Sequence, residues 1–75
     1  MKAIRIYPIR PVVGFDNEYE ECPPNLATEY AVYAVEELQT HLADFTSLAH
    51  ALHLAETLST LLGVPLEDAH NLKGI

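Results

Sequence analysis

Residues 28–45, T-E-Y-A-V-Y-A-V-E-E-L-Q-T-H-L-A-D-F, decide the fold of this chain, because two structures fit them. As one helix, the segment places apolar residues on a single face, and Ala, Glu, Leu and Gln all suit helix. The residues on that face are Ala27, Ala31, Ala34, Leu38, Leu42 and Phe45. As a hairpin, it pairs a run rich in Tyr and Val with a second strand across a turn at Glu36 and Glu37. That turn lacks the glycine or asparagine that tight turns prefer. Because the strand formers lie so close together, we predict the hairpin.

The next segment, residues 46–62, has the period of an amphipathic helix, with apolar residues over about half of the helical wheel. Asp44 or Thr46 is predicted to cap its N-terminus, and Gly63 is predicted to end it, with Pro65 preventing any continuation. The predicted apolar face consists of Leu48, Ala51, Leu52, Leu54, Ala55, Leu58, Leu61 and Leu62.

Residues 2–13 alternate isoleucine with arginine and tyrosine, which predicts a strand. Pro8 and Pro11 have no backbone N–H, so the strand should end near Tyr7 or continue only along the edge of a sheet. Residues 14–27 are rich in turn formers and like charges and are predicted to form an acidic loop.

These segments predict one α+β domain over residues 1–75: a small antiparallel three-stranded sheet with one long amphipathic helix packed on one face, and a C-terminal tail at 63–75. The other sheet face would be bare. Tyr, Val and Ile occur on both sides of the predicted strands, so we expect this face to be apolar, and an exposed apolar face usually marks an interface. We therefore predict a homodimer, or a regulatory or structural subunit that assembles through this face.

Charge is distributed very unevenly along the chain, whose formal net charge is −7. All eleven acidic residues lie between Asp16 and Asp68, and no lysine or arginine occurs between Pro11 and Leu72. Such a surface repels phosphate and attracts cationic partners. The sequence therefore predicts a basic protein partner and no direct binding of nucleic acid.

The sequence shows no arrangement typical of an active site or a metal site. Its serines lack the strand-turn-helix glycine context that exposes a nucleophile, and its carboxylate doublets are typical of solvated surface. His50 and His53 lie three apart with Glu56 following, but a metal site would need a further ligand such as His41 or His70. We predict a non-enzymatic protein with no cofactor and no bound metal.

Cys22 is the only cysteine, which excludes an intrachain disulfide. Acidic neighbours disfavour its thiolate, so we interpret it as an ordinary loop cysteine in a reducing compartment. No apolar run approaches the roughly 18 residues that span a bilayer, and the N-terminus lacks the pattern of a secretory signal. We expect a cytoplasmic protein that does not bind membranes.

The aromatic side chains of the acidic loop suggest a binding surface, because aromatic residues are enriched at interface hot spots. The alternative is that Phe15 and Tyr19 fold back to cover a small core. The predicted partner-binding residues are Phe15, Asp16, Glu18, Tyr19, Glu20 and Glu21.

The hairpin, the corner at Ala43-Asp44-Phe45-Thr46 and the alanine-rich helix make residues 29–62 resemble small hairpin-plus-helix accessory proteins of phages, plasmids and integrated elements. Some anti-CRISPR and anti-restriction proteins share this layout. The resemblance supports the hairpin and carries over no catalytic residues. With the charge, it implies a small acidic protein-binding module, such as a mobile-element-encoded inhibitor that occupies a basic, nucleic-acid-binding site of a host protein.

Overall fold

The computed structural model describes all 75 residues, Met1–Ile75. In chain order, the elements are β1 (Ala3–Pro11), β2 (Tyr19–Glu21), β3 (Glu29–Val35), β4 (Gln39–Phe45), α1 (Leu48–Leu62) and β5 (Leu66–Glu67), with single 3-10 turns at Pro24–Leu26 and Leu72–Gly74. The predicted α+β class is confirmed. The sheet has five strands instead of three, because β2 and β5 both add to the outer side of β1.

β1 lies inside the sheet, with β3 on one side and both β2 and β5 on the other. The prediction that its prolines confine it to an edge is therefore wrong. Pro8 is tolerated because β5 pairs with Ile4 and Arg5 while β2 pairs only from Ile9 onward, which leaves a gap opposite the proline nitrogen. The Pro8 carbonyl still accepts a hydrogen bond from the Cys22 N–H at 3.0 Å.

Residues 28–45 form a hairpin and not a helix, with β3 and β4 antiparallel and Tyr30 opposite Phe45. The turn contains no glycine. It is closed by a backbone hydrogen bond of 3.1 Å from the N–H of Glu36 to the carbonyl of Leu38. A bulge interrupts the ladder where β4 passes Leu42, so that His41 faces Tyr33 and Ala43 faces Val32.

The segment predicted as an acidic loop contains both β2 and the 3-10 turn Pro24–Leu26. β2 follows a tight reversal in which the Val12 N–H bonds the Glu18 carbonyl at 3.0 Å. Arg10 lies opposite Glu20 in the ladder, and their side chains form an ion pair of 3.2 Å. This cross-strand pair places opposite charges between β2 and β1, although like charges dominate the sequence of residues 14–27.

The helix packs on one face of the sheet through residues that are buried or half-buried. Ala51 and Ala55 are fully buried in a cluster with Ile4 and Val32. Leu48, Leu52, Leu54 and Leu58 pack around this cluster, but Leu61 and Leu62, predicted as part of the same face, are 75% and 49% exposed. They lie in the last turn of α1, beyond the part of the helix that packs on the core.

Both ends of α1 have recognisable caps. Ser47, and neither Asp44 nor Thr46 as predicted, is the N-cap, because its hydroxyl accepts the backbone N–H of His50 at 3.3 Å. Gly63 ends the helix in the left-handed conformation, with φ of 65°. No helix of the chain combines the length and the apolar character needed to cross a membrane.

The C-terminal segment is an integral part of the fold, although the sequence suggested a simple tail. β5 pairs in parallel with β1, and Leu72 is fully buried in the core cluster. The Asp68 carboxylate accepts hydrogen bonds from the backbone N–H groups of Leu72 at 2.8 Å and Lys73 at 2.9 Å. These contacts hold the last turn under the helix.

Candidate functional site

The face of the sheet opposite α1, here called the open face, has no covering element. Strand side chains alternate between faces, so Ile4 and Ile6 point to the helix while Arg5, Tyr7 and Ile9 point to the open face. Residues directly opposite each other in a ladder share a face. Every strand of the sheet therefore contributes side chains to the open face.

A groove of about 480 Å³ crosses the open face. The inner strands β1 and β3 supply its floor and the outer strands β2 and β4 its walls. Its lining residues are Tyr7, Ile9, Tyr19, Glu21, Tyr33, Gln39, His41 and Asp44. Ile9, at 7% exposure, is the most deeply placed of them, while Tyr19 is 47% exposed at the rim.

Aromatic rings line the floor and one wall in an edge-to-face array. The ring centroids of Tyr7 and Tyr33 are 5.5 Å apart, and those of Tyr33 and His41 are 5.3 Å apart. Aromatic pairs favour this edge-to-face arrangement over a face-to-face sandwich. Burial, reinforced by the nearby Asp44 carboxylate, raises the pKa of the Tyr33 phenol above its ordinary value.

Carboxylates stand on both walls of the groove, and each is bonded to a histidine. Asp44 Oδ1 lies 2.7 Å from His41 Nε2, and Glu21 Oε2 is bonded to the imidazole of His70. A carboxylate accepts several hydrogen bonds, so both groups retain capacity for a ligand. No lysine or arginine lines the groove. The groove therefore contains two carboxylates and no permanently cationic side chain.

At one end of the groove, a chain of hydrogen bonds links three strands. Arg5 bonds the Glu67 carboxylate on β5 and also donates to the Tyr7 hydroxyl at 3.5 Å, which in turn donates to Gln39 Oε1 at 3.1 Å. The bond to Glu67, and then that to Tyr7, raises the pKa of the Arg5 guanidinium. Arg5 thus borders the groove through Tyr7, and its guanidinium is paired with the Glu67 carboxylate.

The prediction that the open face is apolar is wrong. Ile4, Ile6 and Val32 pack on the helix side, whereas Ile9 is 7% exposed in the groove and the tyrosines of the open face line its floor and rim. Charged and amide side chains of β2, β4 and β5 surround them. The groove that crosses this face is aromatic and anionic, and assembly as a homodimer or as a subunit stays a prediction.

The predicted partner-binding residues are divided between two places. Tyr19 and Glu21 line the groove, and a hydrogen bond to the Glu29 carboxylate raises the pKa of the Tyr19 phenol. Phe15, Asp16 and Glu18 lie in the reversal between β1 and β2, with Phe15 60% exposed, and do not line the groove. The sixth residue of this set, Glu20, is paired with Arg10 as described above.

The histidines are not brought together. His50 and His53 lie exposed on α1, while His41 and His70 bond to carboxylates on the other side of the sheet. No group of three or more His, Cys, Asp or Glu side chains is placed to hold a metal ion. Cys22 is 4% exposed, and burial raises the pKa of its thiol.

The groove residues that sequence reasoning missed are Tyr7, Ile9, Tyr33, Gln39, His41 and Asp44. The signal that could have found Tyr7 and Tyr33 is alternation, because each occupies the strand face opposite the isoleucines or valines of the core. Gln39, His41 and Asp44 carry no such signal, since the bulge at Leu42 shifts which β4 residues share the open face.

In comparisons with known proteins, no family model, no curated protein and no solved structure matches the chain. Function is therefore inferred from the chemistry of the groove.

The raised pKa of Tyr33 makes stability sensitive to alkaline pH. Because the phenol ionises less readily in the folded chain than in the unfolded chain, its contribution is complete below the ordinary tyrosine pKa of about 10 and is lost as pH rises through the higher folded value. We expect Tyr33→Phe to flatten the fall in unfolding free energy above pH 10. Urea denaturation at a series of pH values measures this, and the two proteins should show parallel pH dependence below pH 8.

Proposed function

We propose that this protein is a non-enzymatic binding module whose open-face groove takes a basic segment of a partner protein. The observation that carries the proposal is the composition of the groove, in which three tyrosines and two carboxylates face a ligand and no lysine or arginine does. Arginine and lysine side chains bind tyrosine faces by cation–π attraction and bind carboxylates by charge-assisted hydrogen bonds. The groove offers both tyrosine rings and carboxylates to such side chains.

The rest of the molecule favours the same class of partner. The net charge of −7 steers cationic surfaces toward the protein and repels nucleic acid. A basic protein site that normally contacts phosphate matches these properties. In the form that the resemblance implies, the module is an inhibitor of a cytoplasmic nucleic-acid-binding protein, and the two anionic ligands compete for one site.

The proposal is tested with isosteric variants that remove charge without removing volume. A double variant, Glu21→Gln with Asp44→Asn, changes both walls of the groove, and a matched double variant, Glu37→Gln with Glu56→Gln, removes the same charge outside it. A partner captured from source lysate with the unmodified protein is identified by mass spectrometry, and its affinity is then measured by titration calorimetry. We expect at least about tenfold weaker binding for the groove variant and less than about threefold for the control.

Salt dependence and competition complete the test. Affinity for the partner should fall by about tenfold or more as ionic strength rises from about 0.05 M to about 0.5 M. Partner-bound nucleic acid should be displaced by the unmodified protein and not by the groove variant. Equal affinity of all variants, or binding that is indifferent to salt, would reject a charge-recognising groove.

The loop at the tip of the β1–β2 reversal provides a direct comparison with the site predicted from sequence. Asp16→Asn with Glu18→Gln removes the same charge from that loop as the groove variant removes from the walls. A greater loss of affinity in this loop variant than in the groove variant would assign the partner site to the acidic loop.

A further inference from the structure

β4 is the outer strand of the sheet on the side away from β1, and nothing pairs with its free edge. Its seven residues include no lysine and no proline, the two residues that most often protect such edges from pairing. Most of the strand is solvent-exposed. The edge is therefore open to a further strand, except at the bulge beside Leu42, which interrupts the ladder locally.

The ladder shows which backbone groups of β4 point outward. Because the Cys22 N–H donates to the Pro8 carbonyl, even-numbered residues of β1 direct their backbone groups toward β2, and odd-numbered residues direct them toward β3. Ala31 lies opposite Tyr7 in the β1–β3 ladder, so its backbone N–H and carbonyl point toward β1. Asp44, opposite Ala31 in the next ladder, consequently presents its own N–H and carbonyl to the free edge.

Asp44 joins this free edge to the groove. Its backbone faces outward along the sheet, while its side chain lines the groove beside His41. A residue placed opposite Asp44 by a strand added to β4 shares its face of the sheet, so its side chain lies next to the Asp44 carboxylate. A strand added at this edge thus delivers alternate side chains to the groove wall.

Charge complementarity identifies the occupant. A second copy of this chain would bring another seven net negative charges to an anionic face, whereas a basic segment along β4 would meet the Asp44 carboxylate. We propose that the partner contributes an extended, arginine-containing segment that adds to the sheet along β4 and places an arginine beside Asp44 and the ring of Tyr33. This rests on the proposed function and specifies its partner, by the recognition mode known as β-strand addition.

The test uses the full chain and a synthetic capped peptide, Thr-Arg-Val-Arg-Val-Arg-Thr. Two further peptides carry N-methyl groups on backbone nitrogens, those of the arginines in one peptide and those of the valines in the other. One of the two therefore blocks the backbone hydrogen bonds to β4 whether the peptide adds antiparallel or parallel to it. In a fourth peptide, citrulline replaces arginine and keeps its shape without its charge. Amide NMR spectra of the protein report where each peptide binds, and hydrogen exchange reports protection along β4.

We expect the parent peptide to shift and protect the β4 amides on either side of the bulge. One N-methylated peptide and the citrulline peptide should bind at least about tenfold more weakly than the parent. In the protein, Asp44→Asn should weaken binding by a similar factor, and Glu56→Gln, which removes one charge from the helix face, should not.

Other outcomes overturn the inference in distinguishable ways. Binding of equal strength by both N-methylated peptides, with shifts confined to groove side chains, would reject strand addition and leave the charge-recognising groove standing. If the unmodified protein bound no basic peptide and no basic protein, the proposed function itself would be rejected. Protection of β4 in the protein alone, dependent on its concentration, would show that a second copy occupies the edge.

Discussion

Replacing Ile6 with alanine should lower the free energy of unfolding by about 2 to 5 kcal/mol. Ile6 is fully buried on the helix side of β1, opposite Val32 in the β1–β3 ladder. The substitution removes three carbons from the centre of the core, and the β1–β3 ladder and the packed helix keep their neighbours from closing the resulting cavity.

The size of the domain makes this loss severe. Chains of this length bury a smaller share of their surface than larger domains do, so their total stability is low. Ile6→Ala should therefore be partly or wholly unfolded at 37 °C, as measured by circular dichroism and urea denaturation.

Leu61→Ala is the matched control for the core substitution. Leu61 is 75% exposed in the last turn of α1, and alanine is at least as good a helix former, so the change should stay within about 0.5 kcal/mol. Equal destabilisation by the two variants would contradict the assignment of the core to the β1–β3–α1 interface.

Much of this fold could be predicted because its main elements depend on local patterns. The alternation of residues 2–13 indicates a strand, and the period of residues 46–62 indicates a helix that ends at Gly63. What could not be predicted depends on pairings between distant residues. β2 pairs with β1 across a reversal that places Arg10 opposite Glu20, and β5 pairs with β1 where the chain returns beside Arg5 after the helix.

The groove was less predictable than the fold for the same physical reason. Its walls come from β2 and β4, which lie at opposite edges of the sheet, and only the register brings Tyr19 and Asp44 to a common face. The acidic sequence around Tyr19 did point to one wall. Predicting the other wall, on β4, would have required the position of the bulge at Leu42, for which the β4 sequence gives no signal.

Leu72→Ala is the second substitution for which we expect a large effect, a loss of about 2 to 5 kcal/mol in the free energy of unfolding. Leu72 lies only three residues from the end of the chain described here, yet it is fully buried in the same cluster as Ile4 and Ala55. The Asp68 carboxylate accepts hydrogen bonds from the turn that contains Leu72, which holds the Leu72 side chain in its buried position.

Ile75→Ala tests whether this effect depends on burial or simply on an apolar residue near the C-terminus. Ile75 is 74% exposed, so its truncation should change the unfolding free energy by less than about 0.5 kcal/mol. If Leu72→Ala proved equally mild, the C-terminal turn would be a dispensable attachment, and the core would end with α1. If the loss is large, hydrogen exchange of the β5 amides should accelerate together with that of β1, because Leu66 pairs with Ile4 and the two strands would separate in one cooperative step.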